Sequence, residues 1–348
     1  MKKNKIISFL VIINFLIFFS LFYGKEYFDF HKDKIEISKN EKENKEQLEN
    51  FKIDNIKNYE NIEIFSTPDK KLLNYIVEKI NSAHDYVYVE IYMLTENRTR
   101  EALIKAKKRG VDVKIILEKD PYLAYSINDK TYNEFKKYNI EIVWSNTKNY
   151  ALNHSKMILI DGLNIISTGN LTYSTFTQNR DFFVFINDLE LNKKLLKIFN
   201  DDFEGIKKTV YDDNLIISPT ISREKIIDLL ESANSDIKIY MQYFSDDEIN
   251  KKLIEIKKKK NIKISAVIPK TAINDENTKK LIDNQIEIKV IPKYTMHAKS
   301  ILIDEKYLFI GSINFSNYSI DKNREIGILI NNKDIILKFL DIFNYDFK

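Results

Sequence analysis

His154-Ser-Lys156 is followed by the apolar stretch MILI and Asp161, and His297-Ala-Lys299 by SILI and Asp304. After the first pattern come STGN, ending at Asn170, and NRD, ending at Asp181. After the second come Gly311-Ser312-Ile313-Asn314 and NRE, ending at Glu325. Residues i and i+2 of a strand face the same way, so each His stands beside its Lys while the apolar stretch runs on into a core. Transfer at phosphorus needs a nucleophile, an acid for the leaving oxygen, and positive or donor groups on the non-bridging oxygens. Two His and two Lys supply all three without a metal. Asn170 and Asn314 add amide donors, and Gly169 and Gly311 are read as letting the backbone turn tightly beside them. No H-x-x-x-H, paired-carboxylate or Asp-rich pattern suggests a metal site, and no cofactor is implied. Without cysteine, thiolate catalysis and Cys-ligated metal are excluded.

A single histidine near a strand is more often a core or surface residue than a catalyst. Here two of the four histidines meet the same conditions at matching places. Asn314 and Glu325 lie 17 and 28 residues after His297; Asn170 and Asp181 lie 16 and 27 after His154. One deletion in the turn after Asp161 accounts for both differences. The other two histidines, His31 in a charged segment and His84 at a helix–strand junction, carry no such pattern.

The elements that must position these residues also repeat. KLLNYIVEKINSA reads as a helix and DYVYVEIYML as a strand. A helix ending in KAKKRG, with Gly110 as its C-terminal cap, and the strand VDVKIIL follow. The second half offers EKIIDLLESA, DIKIYMQYF, a charged helix through KKLIEIKKKK, and the strand IKISAVI. NSAHDYVYVEIYMLT and ESANSDIKIYMQYFS align at an offset of 150 residues, a domain duplication and not a solenoid. Strand–helix–strand alternation predicts α/β layers, each half a mixed, mostly parallel sheet flanked by helices. Lys257–Lys260 end a helix, where cations suit the dipole.

H-x-K-x4-D followed by G-S-x-N resembles the HKD motif of the phospholipase D superfamily, over about residues 62–348. The resemblance implies two homologous α/β halves about a pseudo-two-fold axis, with both motifs at the interface. It implies that one His forms a phosphohistidine while the other protonates the leaving group and then activates water. On this chain His154 and His297 take those roles, and His154 is favoured as the nucleophile. Lys156, Lys299, Asn170 and Asn314 would bind phosphate, and Ser312 fits a phosphate-contacting serine. Glu325 fits the carboxylate that orients a catalytic His, with Asp181 at the equivalent place. Asp161 and Asp304 are read as structural supports. STGN in place of G-S-x-N, and Asp181 in place of Glu, are departures from the pattern.

The 348 residues hold 55 Lys and Arg against 51 Asp and Glu, a net charge of +4. That surplus does not by itself argue for nucleic acid. Ile6–Tyr23 is an 18-residue apolar run behind Lys2, Lys3 and Lys5. As a helix it would span about 27 Å, enough to cross a bilayer. Residues 1–24 thus read as a membrane anchor, or alternatively a cleaved secretory signal, with the rest facing outward. Residues 25–61 read as a charged tether, 62–210 as the first half and 211–348 as the second. Motif residues contact only the shared phosphodiester. Membrane attachment favours a phospholipid substrate, hydrolysed or transferred; a metal-independent nuclease using Lys257–Lys260 and Lys263, and a cardiolipin synthase-like enzyme, are the alternatives. Cardiolipin synthases usually begin with two hydrophobic spans, where this chain shows one. No obligate protein partner is evident.

Overall fold

The computed structural model describes residues 51–348 apart from residue 209. The expected anchor or signal at 1–24, most of the tether, and His31 lie outside the described residues. Among the described residues no helix is long and apolar enough to cross a membrane.

The first half contributes β1 (Ile62–Ser66), β2 (Tyr86–Ile91), β3 (Asp112–Leu117), β4 (Glu141–Trp144), β5 (Lys156–Ile160), β6 (Leu163–Ser167), β7 (Asn179–Arg180) and β8 (Phe182–Asn187). The second contributes β9 (Leu215–Ser218), β10 (Asp236–Tyr240), β11 (Lys263–Ile268), β12 (Glu287–Val290), β13 (Thr295–Met296), β14 (Ser300–Ile303), β15 (Tyr307–Gly311) and β16 (Glu325–Ile330). One seven-stranded sheet runs β1-β8-β6-β5-β2-β3-β4; the other, read from its opposite end, runs β9-β16-β15-β14-β10-β11-β12. The two orders match strand for strand, so the duplication seen in sequence is a duplication of fold.

The sheets are mixed, as expected, but not mostly parallel. In the first sheet β2, β3 and β4 pair in parallel. The pairs β1–β8, β8–β6, β6–β5 and β5–β2 are antiparallel. The second sheet repeats this division. The physical reason is the turn after each HKD strand. Asp161 and Gly162, both at positive φ, join β5 to β6 as a two-residue hairpin. Asp304, Glu305 and Lys306 join β14 to β15 with one residue more. That extra residue is the single-position difference between the motif intervals.

Helices close the outer faces. Lys70–Asn81 and Asn97–Arg109 pack on the first sheet, and Gly110 caps the second of these in the left-handed conformation, at φ 96°. Ser222–Glu231 and Asp247–Lys260 do the same for the second sheet. A third core joins the halves: Met157, Leu159, Ile166 and Val184 of one sheet cluster with Leu302, Leu308, Ile310 and Ile328 of the other. Strands buried on both faces explain the unbroken apolar runs MILI, SILI and FFVFI. The packed body also starts earlier than the expected boundary near Ile62. Phe51 and Ile56 are buried in the second half's core, and Lys57 N–H donates to Asn214 Oδ1 at 2.9 Å.

Candidate active site

Each half lends a strip of backbone to the other. β13 pairs in parallel with β7, and the equivalent contact in the opposite sense is Asn153 with Arg324. Through these pairs His297 N–H donates to Arg180 O at 3.2 Å, and His154 N–H to Arg324 O at 2.8 Å. Each histidine is thereby held against the segment that precedes the other half's carboxylate.

The side chains cross in the same way. His154 Nδ1 donates to Glu325 Oε2 at 2.8 Å, and His297 Nδ1 donates to Asp181 Oδ1 at 2.8 Å. Both carboxylates are fully buried, while the imidazoles keep 13% and 16% of their side-chain surface exposed. Burial works to raise both carboxyl groups, but the facing imidazole and neighbouring lysine hold Asp181 and Glu325 below the usual range. An ionised carboxylate can only accept, so Nδ1 carries the proton and Nε2 keeps a free lone pair.

Lys156 and Lys299 are almost wholly buried. Lys156 Nζ donates to His154 O at 2.7 Å, and Lys299 Nζ to His297 O. Burial lowers Lys156 well below its ordinary value, and lowers Lys299 to about 8, against the pull of Asp181 and Glu325 on both. Burial, with Lys156 and Lys299, lowers His154 to about 4, and lowers His297 as well, each against the pull of its carboxylate. Mutual effects across the halves mark one cluster of six ionisable groups. An anion entering it would meet two ammonium groups and two Nε2 atoms.

Asn170 and Asn314 are 3% and 5% exposed, and each keeps a buried Oδ1 without a partner. Ser312 lies beside Glu325. It is fully buried, accepts from Ile326 N–H at 3.0 Å, and supports Glu325 from behind. Thr168 is its counterpart, donating to Asp181 Oδ1 at 2.6 Å. Asp161 and Asp304 lie on the hairpin turns, away from the cluster. Asp161 accepts from the backbone N–H of His84, Asp85 and Tyr86, and Asp304 from those of Asn234, Ser235 and Asp236. His84 thus serves through its backbone alone.

Gly169 and Gly311 do not sit at positive φ, so tight turning is not their purpose. A Cβ on Gly169 would lie 2.9 Å from Asp181 Cγ, and one on Gly311 2.5 Å from Gly327 Cα. Close approach is what these glycines permit.

Several residues escaped the sequence reading. Arg180 Nε donates to Asp346 Oδ2 at 2.7 Å, with Tyr240 on the same carboxylate. Arg324 Nε donates to Asp202 Oδ2 at 2.7 Å, joined by Tyr150. These buried ion pairs again cross between halves, one residue before each orienting carboxylate. The signal was present as IFNDDF at 198–203 and IFNYDF at 342–347. Tyr92, whose ring meets His154 edge-on at 4.7 Å, carried none, since Gln242 occupies its place in the repeat.

Residues 76–203 and 226–347 match the family described as "Cardiolipin synthase, PLD-like domain". The chain is 22% identical over 328 residues to a cardiolipin synthase of Clostridium perfringens, covering 80% of this chain and 68% of that one. It is 28% identical over 134 residues to a phospholipase D of Rickettsia bellii, covering 38% of this chain and 63% of that one. A phosphatidylserine synthase structure from Haemophilus influenzae superposes with a TM-score of 0.69 at 14% identity, over 88% of this chain and 89% of the other.

Proposed function

This chain belongs to the phospholipase D-like family, and on that premise we propose that it cleaves a phospholipid phosphodiester through a phosphohistidine and passes the phosphatidyl group to an alcohol or to water. The observation that carries this reading is the crossed pair of imidazole–carboxylate contacts, His154–Glu325 and His297–Asp181. One Nε2 attacks phosphorus, and the opposite imidazole protonates the departing oxygen and then deprotonates the acceptor. Lys156 and Lys299 balance the charge on the non-bridging oxygens, the part that a metal plays elsewhere. His154 is proposed as the nucleophile. The alignment with cardiolipin synthase over most of the chain supports transfer to a lipid alcohol beside hydrolysis.

The basic run of the nuclease alternative, Lys257–Lys260 with Lys263, lies at the surface and is partly tied to neighbouring groups. Lys257 Nζ donates to Ile262 O at its own helix end, Lys260 Nζ to Glu231 O and Ala233 O at the end of the neighbouring helix, and Lys259 pairs with Glu255.

Purified protein given labelled phosphatidylglycerol is expected to yield cardiolipin and phosphatidic acid, with activity persisting in excess EDTA. Cleavage of single-stranded DNA with neither lipid product would overturn the reading. Quenching in base should leave the adduct on the peptide containing His154; an adduct on His297 would reverse the two roles. The N-terminal run supports a membrane-attached enzyme facing outward. Protease added to intact cells should therefore degrade the catalytic body without prior lysis.

A further inference from the structure

We propose that the loop of residues 118–128 is a docking rim of the active site that seats in the headgroup–acyl boundary of a bilayer; this rests on the phospholipid reading above. The loop joins β3 to the helix Asp129–Lys137 and holds eleven residues, where the same connection in the second half, 269–275, holds seven. The repeat therefore supplies its own reference. The shorter version buries Ala272 and half-buries Ile273. The longer one turns its large apolar groups outward, with Tyr122 70%, Leu123 79%, Tyr125 66% and Ile127 40% exposed. Soluble surfaces rarely gather such groups in one place without a partner.

The loop is built to hold them there. At its base Asn128 is fully buried, accepts from Leu94 N–H, and donates to Tyr92 O and Glu118 O, both at 2.8 Å. Tyr122 N–H donates to Tyr92 Oη at 2.6 Å. Leu123 and Ser126 stand at φ 57° and 62°, a left-handed backbone that surrounding bonds must hold in non-glycine residues. Tyr92 in turn meets His154, so the apolar tip is joined to the reacting group through one side chain. Tyr243, half-exposed on the other half, lies near enough to weigh on the Tyr92 hydroxyl.

Charge selects the occupant. Lys119 and Lys130 are matched by Asp120 and Asp129, and Glu118 is buried. Stacking platforms for single strands need a surplus of positive charge beside their aromatics, which this loop lacks. Tyrosines with aliphatic neighbours suit the boundary between headgroups and acyl chains, where the ring is buried and the hydroxyl stays wet. A lipid phosphodiester lies at that depth, beside a site so placed.

The test uses the full chain in vesicles of phosphatidylglycerol and phosphatidylcholine. With Trp144→Phe removing the only native tryptophan, Leu123→Trp should be quenched by brominated acyl chains and shift to the blue. Tyr122→Ser, Leu123→Ser and Tyr125→Ser together should lower the rate on vesicles at least tenfold and leave the rate on a monomeric short-chain lipid unchanged. Water-exposed, unquenched emission from the Leu123→Trp variant, its protection by single-stranded DNA in place of lipid, equal loss on both substrates, or no loss on vesicles would each overturn the proposal. If the unaltered enzyme turns over neither lipid, the phospholipid reading fails instead, and quenching still decides the docking.

Discussion

Each imidazole is committed through Nδ1 to a carboxylate of the opposite half, so neither histidine is competent without the other half in place. His154→Ala and His297→Ala should therefore each lower kcat by a factor on the order of 10⁴, and the double variant should be scarcely worse. Substantial turnover in either single variant would show that the halves act separately. Asp181→Asn keeps shape but can present an NH2 to His297, favouring the wrong tautomer and no longer stabilising an imidazolium. A fall in kcat of about 10²-fold or more with little change in KM is expected from steady-state kinetics. The pH profile of kcat/KM should be bell-shaped. As pH falls through about 4, His154 takes up a proton on the atom needed for attack, which sets the acidic arm. As pH rises, His297, lowered by burial, loses the proton it must give to the leaving oxygen, which starts the alkaline arm, and Lys299 losing its charge through about 8 deepens it. A profile still rising above about pH 9 would contradict both assignments.

Among the elements, the short strands between the halves do the positioning, and each is backed by a buried arginine. Removing one member of a buried ion pair leaves the other charge unpaired, at a cost of about 3–5 kcal/mol. Arg324→Ala, which strands Asp202, should lower the urea midpoint accordingly and take activity with it, because the Arg324 carbonyl receives the His154 N–H. Gly169→Ala would set a Cβ 2.8 Å from Thr175 Cγ2 and 2.9 Å from Asp181 Cγ and push Asp181 off His297, so its kinetics should resemble those of Asp181→Asn while overpacking of the buried site also lowers its melting temperature. The elements legible in sequence were those with local signals. Helical periodicity gave Lys70–Asn81, and glycine at a helix end gave the cap at Gly110. The H-x-K spacing and the repeat gave both histidines, both lysines and the positions of both carboxylates. Which carboxylate serves which histidine was not legible, because a pairing across 171 or 116 residues leaves no periodicity. The antiparallel share of each sheet was likewise missed, although Asp161-Gly162 is a hairpin signal between two apolar runs. Ser312 was given a phosphate contact by resemblance alone, and its bonds to Ile326 and its place beside Glu325 had no signal in the sequence.

At the scale of the molecule, residues 51–348 form one compact unit, and a single central core serves both sheets. Thermal unfolding of this body should be one cooperative step, with activity and far-UV circular dichroism lost together. Two separated transitions, with activity surviving the first, would show that one half can hold the site alone. The crossed contacts carry a further consequence. The inter-half contacts that hold the site come in mirror pairs: His154–Glu325 with His297–Asp181, Arg324–Asp202 with Arg180–Asp346, and Asn153–Arg324 with Met296–Arg180. Two identical copies of one half could make these pairs by an isologous dimer, since a two-fold axis satisfies each contact twice. In such an ancestor any substitution would appear on both sides of the axis at once. Joining the copies in one polypeptide lifts that constraint. Asp181 opposite Glu325, Thr168 opposite Ser312, and Tyr92 opposite Gln242 are changes that only a fused, asymmetric descendant can keep, and they let two histidines of common origin take different parts in one reaction.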